Sequence, residues 1–270
     1  MEKHYKRVLA IAGSDSGGGA GIQADIKTIS ACGCYAMSSI TAITVQNTIG
    51  VSGVYPVPLE AVSGQISSVL DDIGADAVKI GMLHSAEVIE TVKDTLEKYK
   101  IKNIVLDPVM VATSGDKLLQ DEAIETLKNY LLPVVQIITP NIAEAEILLG
   151  KKIYSQKELP QMAKELSLNR SVSVLLKAGH LPDNKLIDIF YNAENDQTIA
   201  LKTKKINTKN VHGTGCTLSS AIASFLAHGL PLNDAVREAK DYIDRAIASG
   251  AEYVLGKGHG PVHHFYKYWK

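Results

Sequence analysis

Sulfur and aromatic rings are scarce in this sequence. Its 270 residues include three Cys, one Trp and three Phe, and aromatic side chains make up 6% of the chain. Cys32, Cys34 and Cys216 are too sparse, and odd in number, for a disulfide framework, so a reducing, cytoplasmic setting is expected. Neither sign of charge dominates: 28 Lys and Arg stand against 29 Asp and Glu, for a net charge of -1. Without a basic stripe or a charged tail, nothing points to a nucleic-acid partner. The apolar runs are short and broken by charge, glycine or proline, which argues against a membrane span. The opening "MEKHYKRVLAIAGSDSGGG" has too short an apolar run for a signal peptide. Two nucleotide signatures are also missing. No segment fits G-x-x-x-x-G-K-[ST]. The pattern G-x-G-x-x-G fails at Leu218 after Gly213-Thr-Gly215 and at Ile22 after Gly17-Gly-Gly19. There is no repeat, low-complexity tract or long linker, and a single domain over 1–270 is expected.

What is present is alternation. With 46% hydrophobic residues the chain can bury a sizeable core. Val8 to Ile11 reads as a buried strand, and Ile22, Ile26 and Ile29 mark a helical stripe. Leu59, Val62, Ile66, Val69 and Leu70 mark another before the run Ala77–Ile80. Val88, Ile89, Val92 and Leu96 precede Ile104–Asp107. Val134–Ile138 and Val172–Leu176 are further strand candidates. This order predicts an α/β fold with a mostly parallel central sheet and helices on both faces. "IDIFYNAENDQTIAL" at 187–201 reads as a hairpin and predicts a short antiparallel edge.

In such a sheet, ligands gather at the carboxyl ends of the strands. The residues placed there are the loop Gly13–Gly21, Lys79 to Met82, Asp107, Thr139 to Glu144, and Lys177. Any one of them could be a cap or a packing choice; all of them together are harder to dismiss. A further stretch, "NVHGTGCTLSSAIAS" at 210–224, puts two glycines before a helix expected to begin near Cys216 or Thr217. Helix N–H groups and the positive dipole end can hold an anion there, and glycines let the backbone approach it. A plain glycine turn before a helix is the simpler alternative, and Cys216 could be a small apolar filler.

These motifs, in this order, resemble the hydroxymethylpyrimidine and phosphomethylpyrimidine kinases of thiamine synthesis, within the ribokinase-like superfamily. The resemblance runs through "IAGSDSGGGAGIQADIKT" at 11–28, "TAITVQNT" at 41–48, "KIGML" at 79–83, "VLDPVM" at 105–110 and "ITPNIAEAEILL" at 138–149. It continues through "LLKAGHL" at 175–181, "HGTGC" at 212–216 and "GKGHGPVHHF" at 256–265. It implies a three-layer α/β/α sandwich and ATP-dependent phosphorylation of 4-amino-5-hydroxymethyl-2-methylpyrimidine, then of its monophosphate, with Mg2+ as cofactor and a homodimer as the assembly. A vitamin B6 kinase of the same superfamily is the alternative substrate reading, and a non-catalytic binding protein is the alternative class.

Residue roles follow from the resemblance. Gly213, Thr214, Gly215 and Cys216 resemble the anion hole for the transferring phosphoryl group. Cys216 stands where sugar kinases of the superfamily carry an aspartate base, and a thiol at a helix N-terminus is expected to have its thiolate favoured. Lys177 looks like the lysine that reaches the ATP phosphates, joined in nucleotide binding by Asn141 and Thr214. Glu144, in the N-x-x-E motif, and Asp107 are the implied magnesium acids. Gln46, Gly13, Met82 and Asp25 match positions on the substrate side, Asp25 being equally suited to a salt bridge. Ser16-Gly-Gly-Gly19 departs from the Pro-Ser-Gly-Gly common in relatives. Lys79 is expected to buttress the sheet, and His180, His212, His263 and His264 to be solvated or packed.

Overall fold

The structure is a computed structural model that describes residues 2–110, 118–120, 122–178 and 185–269. His180 and the end of the "LLKAGHL" motif lie outside them. One sheet of nine strands runs through the described residues in the order β3-β2-β1-β4-β5-β6-β7-β8-β9. Its strands are β1 (Arg7–Asp15), β2 (Tyr35–Gln46), β3 (Val51–Pro56), β4 (Ala77–Ile80), β5 (Ile104–Leu106), β6 (Ile137–Ile138), β7 (Ser173–Leu176), β8 (Lys185–Asn192) and β9 (Gln197–Lys204). From β2 to β7 neighbours pair in parallel. The expected hairpin is β8–β9, antiparallel to β7. A second antiparallel pairing, β2 with β3, lies at the opposite edge and was not expected. The run expected as a strand over Val134–Ile138 is shorter: 132–134 forms a 3-10 turn, and only Ile137–Ile138 joins the sheet.

Alternate side chains of each strand feed two cores, as the period of two requires. Leu9, Ile11, Val78, Ile80, Leu106 and Ile138 face one layer of helices, α2 (Leu59–Asp72), α3 (Ala86–Glu97), α4 (Glu122–Thr126), α5 (Ile142–Leu149) and α6 (Leu159–Leu166). Val8, Ala10, Ala77, Val105, Ile137 and Leu175 face the other, α1 (Gly21–Ala31), α7 (Thr214–Ala227) and α8 (Leu232–Gly250). The result is the expected three-layer α/β/α arrangement. Small side chains at Ala221, Ala223 and Ala227 of α7 and at Ala235, Ala239 and Ala246 of α8 are buried in the second core. They let these two helices pack closely and bring the start of α7 to the strand ends.

Candidate active site

β1 leaves the core and ends at Asp15, whose carboxylate organises the glycine loop. Asp15 Oδ1 accepts from Gly17 N at 2.7 Å, and Oδ2 from Gly19 N at 3.0 Å and Ala20 N at 2.8 Å. Ala20 is the N-cap of α1 and has no capping side chain, so Asp15 meets a backbone need the local sequence leaves open. His212 Nε2 lies 2.8 Å from Asp15 Oδ2 and donates to it. Burial alone would raise the Asp15 carboxyl, but His212 and the loop amides hold it below the usual carboxylate range. His212, expected to be merely solvated or packed, is thus a hydrogen-bond partner of Asp15 in the wall of the site. Asp15 itself escaped the sequence reading, because an acid after a strand looks the same whether it is a cap or a hub.

The two glycine stretches meet each other. Gly213 adopts a left-handed backbone, φ 78°, and a Cβ there would lie 1.9 Å from Gly19 O. A Cβ on Gly19 would lie 2.4 Å from His212 Cδ2. Both positions therefore need glycine for close approach, and Gly213 for its conformation as well.

α7 begins at Thr214, two residues before the expected start, with Gly213 as an N-cap that offers no side-chain oxygen. Its first-turn N–H groups can therefore serve an anion. Facing them are Asp107 at the end of β5 and Lys177 at the end of β7. A Cβ on Gly215 would come 2.9 Å from Asp107 Oδ2 and 3.3 Å from Lys177 Nζ. Lys177 Nζ and Thr139 Oγ1 both donate to Asp107 Oδ1, each at 2.9 Å. Burial would lower the Lys177 ammonium, but Asp107 and Glu144 hold it above its ordinary value, so it stays charged.

Asn141 and Glu144 form a capping box at the start of α5. Asn141 Oδ1 accepts from Glu144 N at 2.9 Å, and Glu144 Oε2 accepts from Asn141 N at 2.8 Å. Burial pushes Glu144 up to about 7; Lys177 opposes the shift, and the charge of Asp107 adds to it. The N-x-x-E motif thus builds a helix start and at the same time presents a buried acid next to a second one. No group of three or more His, Cys, Asp or Glu suited to a metal occurs among the described residues.

Cys216 does not behave as expected. Burial pushes its thiol up to about 11 against the opposing pull of Lys79, so it carries its proton at neutral pH. Beneath it lies a fully buried charge pair: Lys79 Nζ donates to Asp25 Oδ2 at 2.8 Å, and Ser220 Oγ donates to Asp25 Oδ1 at 2.8 Å. Asp25, expected on the substrate side, is fully enclosed by this pair between α1, β4 and α7. Of the two roles open to it, the salt bridge is the one observed. Lys79 is the buttress anticipated for it.

At the other end of the site, Gln46 closes β2. Its amide oxygen accepts from Thr44 Oγ1 at 3.0 Å, and its nitrogen lies 3.5 Å from His212 Nε2. Met82 packs with Ala42 and Leu118, and a Cβ on Gly13 would lie 2.6 Å from Met82 Cε, so Gly13 and Met82 adjoin. Gln46 thereby lies beside His212, the residue that precedes Gly213 and the start of α7. A separate recess, lined by Leu96, Ile101, Ile104, Leu131 and Val134, lies toward the amino ends of the strands, away from these groups.

A family model described as phosphomethylpyrimidine kinase matches residues 15–263. A hydroxymethylpyrimidine/phosphomethylpyrimidine kinase of Rhizobium meliloti is 48% identical over 97% of this chain and 98% of its own length. Among solved structures, a phosphomethylpyrimidine kinase from Clostridium difficile is 45% identical, with a TM-score of 0.78 over 89% of this chain and 99% of that one. The pyridoxal kinase of Staphylococcus aureus, in complex with AMP-PCP and pyridoxal, is 32% identical, with a TM-score of 0.88 over 98% of this chain and 96% of that one.

Proposed function

The chain belongs to the phosphomethylpyrimidine kinase family, and on that premise we propose how its site carries out the family's reaction. The enzyme phosphorylates 4-amino-5-hydroxymethyl-2-methylpyrimidine and then its monophosphate, with ATP as donor, in thiamine biosynthesis. The pyrimidine lies between Met82 and the Gln46 amide, which offers a donor and an acceptor to the aminopyrimidine edge. Its hydroxymethyl group points to the first turn of α7. There the N–H groups after Gly213 receive the phosphoryl oxygens, and Lys177 offsets charge on the ATP phosphates. Asn141 and Thr214 border the same nucleotide side. Cys216 stands beside the attacking hydroxyl.

Magnesium fits the acid pair. Asp107 and Glu144 offer hard carboxylate oxygens near the same strand ends; Glu144 is raised mainly by burial, with the charge of Asp107 adding to it, so a cation there would favour its ionised form. When bound, the ion neutralises phosphate charge. Two carboxylates suffice, because Mg2+ keeps several waters. The homodimer is proposed from the β2–β3 face, where Ile43, Val45, Ile49 and Tyr55 are all at least half exposed. No helix among the described residues is long and apolar enough to cross a membrane.

The observation that supports this reading most is the junction of the Gln46 end with the α7 end through His212. The test is ATP consumption with the pyrimidine alcohol and pyridoxal side by side. The pyrimidine alcohol should have the higher kcat/KM. A preference for pyridoxal, which the likeness to the Staphylococcus aureus enzyme keeps in view, would overturn the substrate assignment.

A further inference from the structure

We infer that the C-terminal segment 256–264 is a positioning element for phosphoryl transfer, a strap that fastens the turn after Gln46 to the start of α7. The inference rests on the substrate and phosphate ends assigned above. The strap carries the motif Gly256-Lys-Gly-His-Gly-Pro-Val-His-His264, to which the proposed chemistry gives no role. Its alternating glycines are each pressed against another element. A Cβ on Gly256 would lie 2.3 Å from Thr48 Oγ1, one on Gly258 1.9 Å from Thr48 O, and one on Gly260 2.2 Å from Asn210 Oδ1. This G-x-G-x-G run therefore serves close approach of the strap's backbone to Thr48 and Asn210.

Hydrogen bonds fix both ends. Gly258 N donates to Thr48 Oγ1 at 3.2 Å, and His259 N to Thr48 O at 2.8 Å. Thr48 is two residues beyond Gln46. On the other side, His212 N donates to Gly260 O at 3.0 Å, and His212 pairs with Pro261 in an isolated parallel bridge. Thr217 Oγ1 of α7 lies 3.1 Å from His264 Nε2. The strap is rooted in α8: Tyr242 OH donates to His264 O at 2.7 Å, and His263 N to Ala246 O at 3.0 Å. One segment thus holds the pyrimidine turn and the anion turn in a common frame. Lys257 and His259 are exposed, so the part of the strap on Thr48 holds mainly by backbone contacts rather than by a buried core. Loosening it should disturb relative placement more than folding.

Gly258→Ala forces the strap off the Thr48 carbonyl. Thr48→Val removes the hydroxyl that accepts Gly258 N while keeping side-chain shape, and serves if the glycine variant folds poorly. A displacement of about 1 Å can cost about 100-fold in rate. Both variants should lose about 10- to 100-fold in kcat with the pyrimidine alcohol, keep ATP KM within about twofold, and release more ADP per phosphorylated product, as water replaces a misplaced hydroxyl. Unchanged kcat and unchanged ADP-to-product ratio in both would overturn the inference. So would equal weakening of ATP and pyrimidine binding together with a lowered Tm, which would make the strap a stability element. Gln46→Leu separates the premise from the inference. If it leaves pyrimidine KM unchanged, the assigned substrate end is wrong and the strap's role falls with it. If it raises KM while both strap variants stay fully coupled, only the strap's role falls.

Discussion

Cys216 is the residue where local pattern and environment pull apart. A helix start favours a thiolate, but the sulfur is buried and pushed up to about 11. If the thiolate is nevertheless the base, its population should rise about tenfold per pH unit from pH 7 toward that value. Phosphorylation of the alcohol should then accelerate with pH, and Cys216→Ala should abolish the rise. The second step should be nearly indifferent, since its acceptor is a phosphate oxygen already ionised near neutral pH. Single-turnover rates for both acceptors from pH 6.5 to about 9.5 check this. A flat wild-type profile would leave Cys216 as a shape-determining side chain at the anion turn.

At the scale of elements, α5 carries two duties at one end. Its capping box secures the helix start, a contribution typically of about 1 kcal/mol. The same Glu144 is a buried acid raised to about 7 from an ordinary value of 4.5. The folded state therefore binds this proton more tightly than the unfolded chain does. The stability it contributes is fully present below about pH 4.5 and is lost as pH rises through about 7, on the order of 3 kcal/mol in all. Glu144→Gln, which stays neutral, should lack this loss. In metal-free buffer its Tm should fall less than that of wild type between pH 5 and pH 8. Added Mg2+ should restore more Tm at pH 8 to wild type than to the variant. Parallel Tm curves with no differential magnesium response would remove Glu144 from the metal shell.

The whole molecule has one sheet edge that calls for cover. β3 is an edge strand, Ile43 faces Tyr55 across the β2–β3 pair, and the patch they form with Val45 and Ile49 is exposed. Edge strands with apolar faces invite pairing unless something covers them. A second copy is the proposed cover. Light scattering should give about twice the chain mass of 29.0 kDa, and Ile43→Glu with Tyr55→Glu should give a monomer. A wild-type monomer at micromolar concentration would end that proposal. The patch adjoins Gln46, so the same experiment, run with kinetics, reads whether assembly matters to the substrate end.

Much of this architecture was legible from the chain alone. Buried runs of the length of β1, β4 and β7, set between stripes at helical spacing, require a parallel sheet with helices on both faces. The strand ends then locate Asp107, Glu144, Lys177 and the glycine turns without any contact being known. Hydrophobic period and turn chemistry are properties of near neighbours, so they survive in a linear reading. β3 escaped that reading, because its half-exposed residues lack a clear apolar alternation. Other features belong to tertiary structure. His212 and Asp15 are 197 residues apart, and Thr48 and Gly258 are 210 apart. Nothing beside a lone Asp, His or Gly in the chain tells whether folding will solvate it, bury it or press it against a distant backbone. Only closure of the sheet and its two helical layers sets the Asp15–His212 pair, encloses Asp25 with Lys79, and buries the Cys216 thiol that local pattern alone would have ionised.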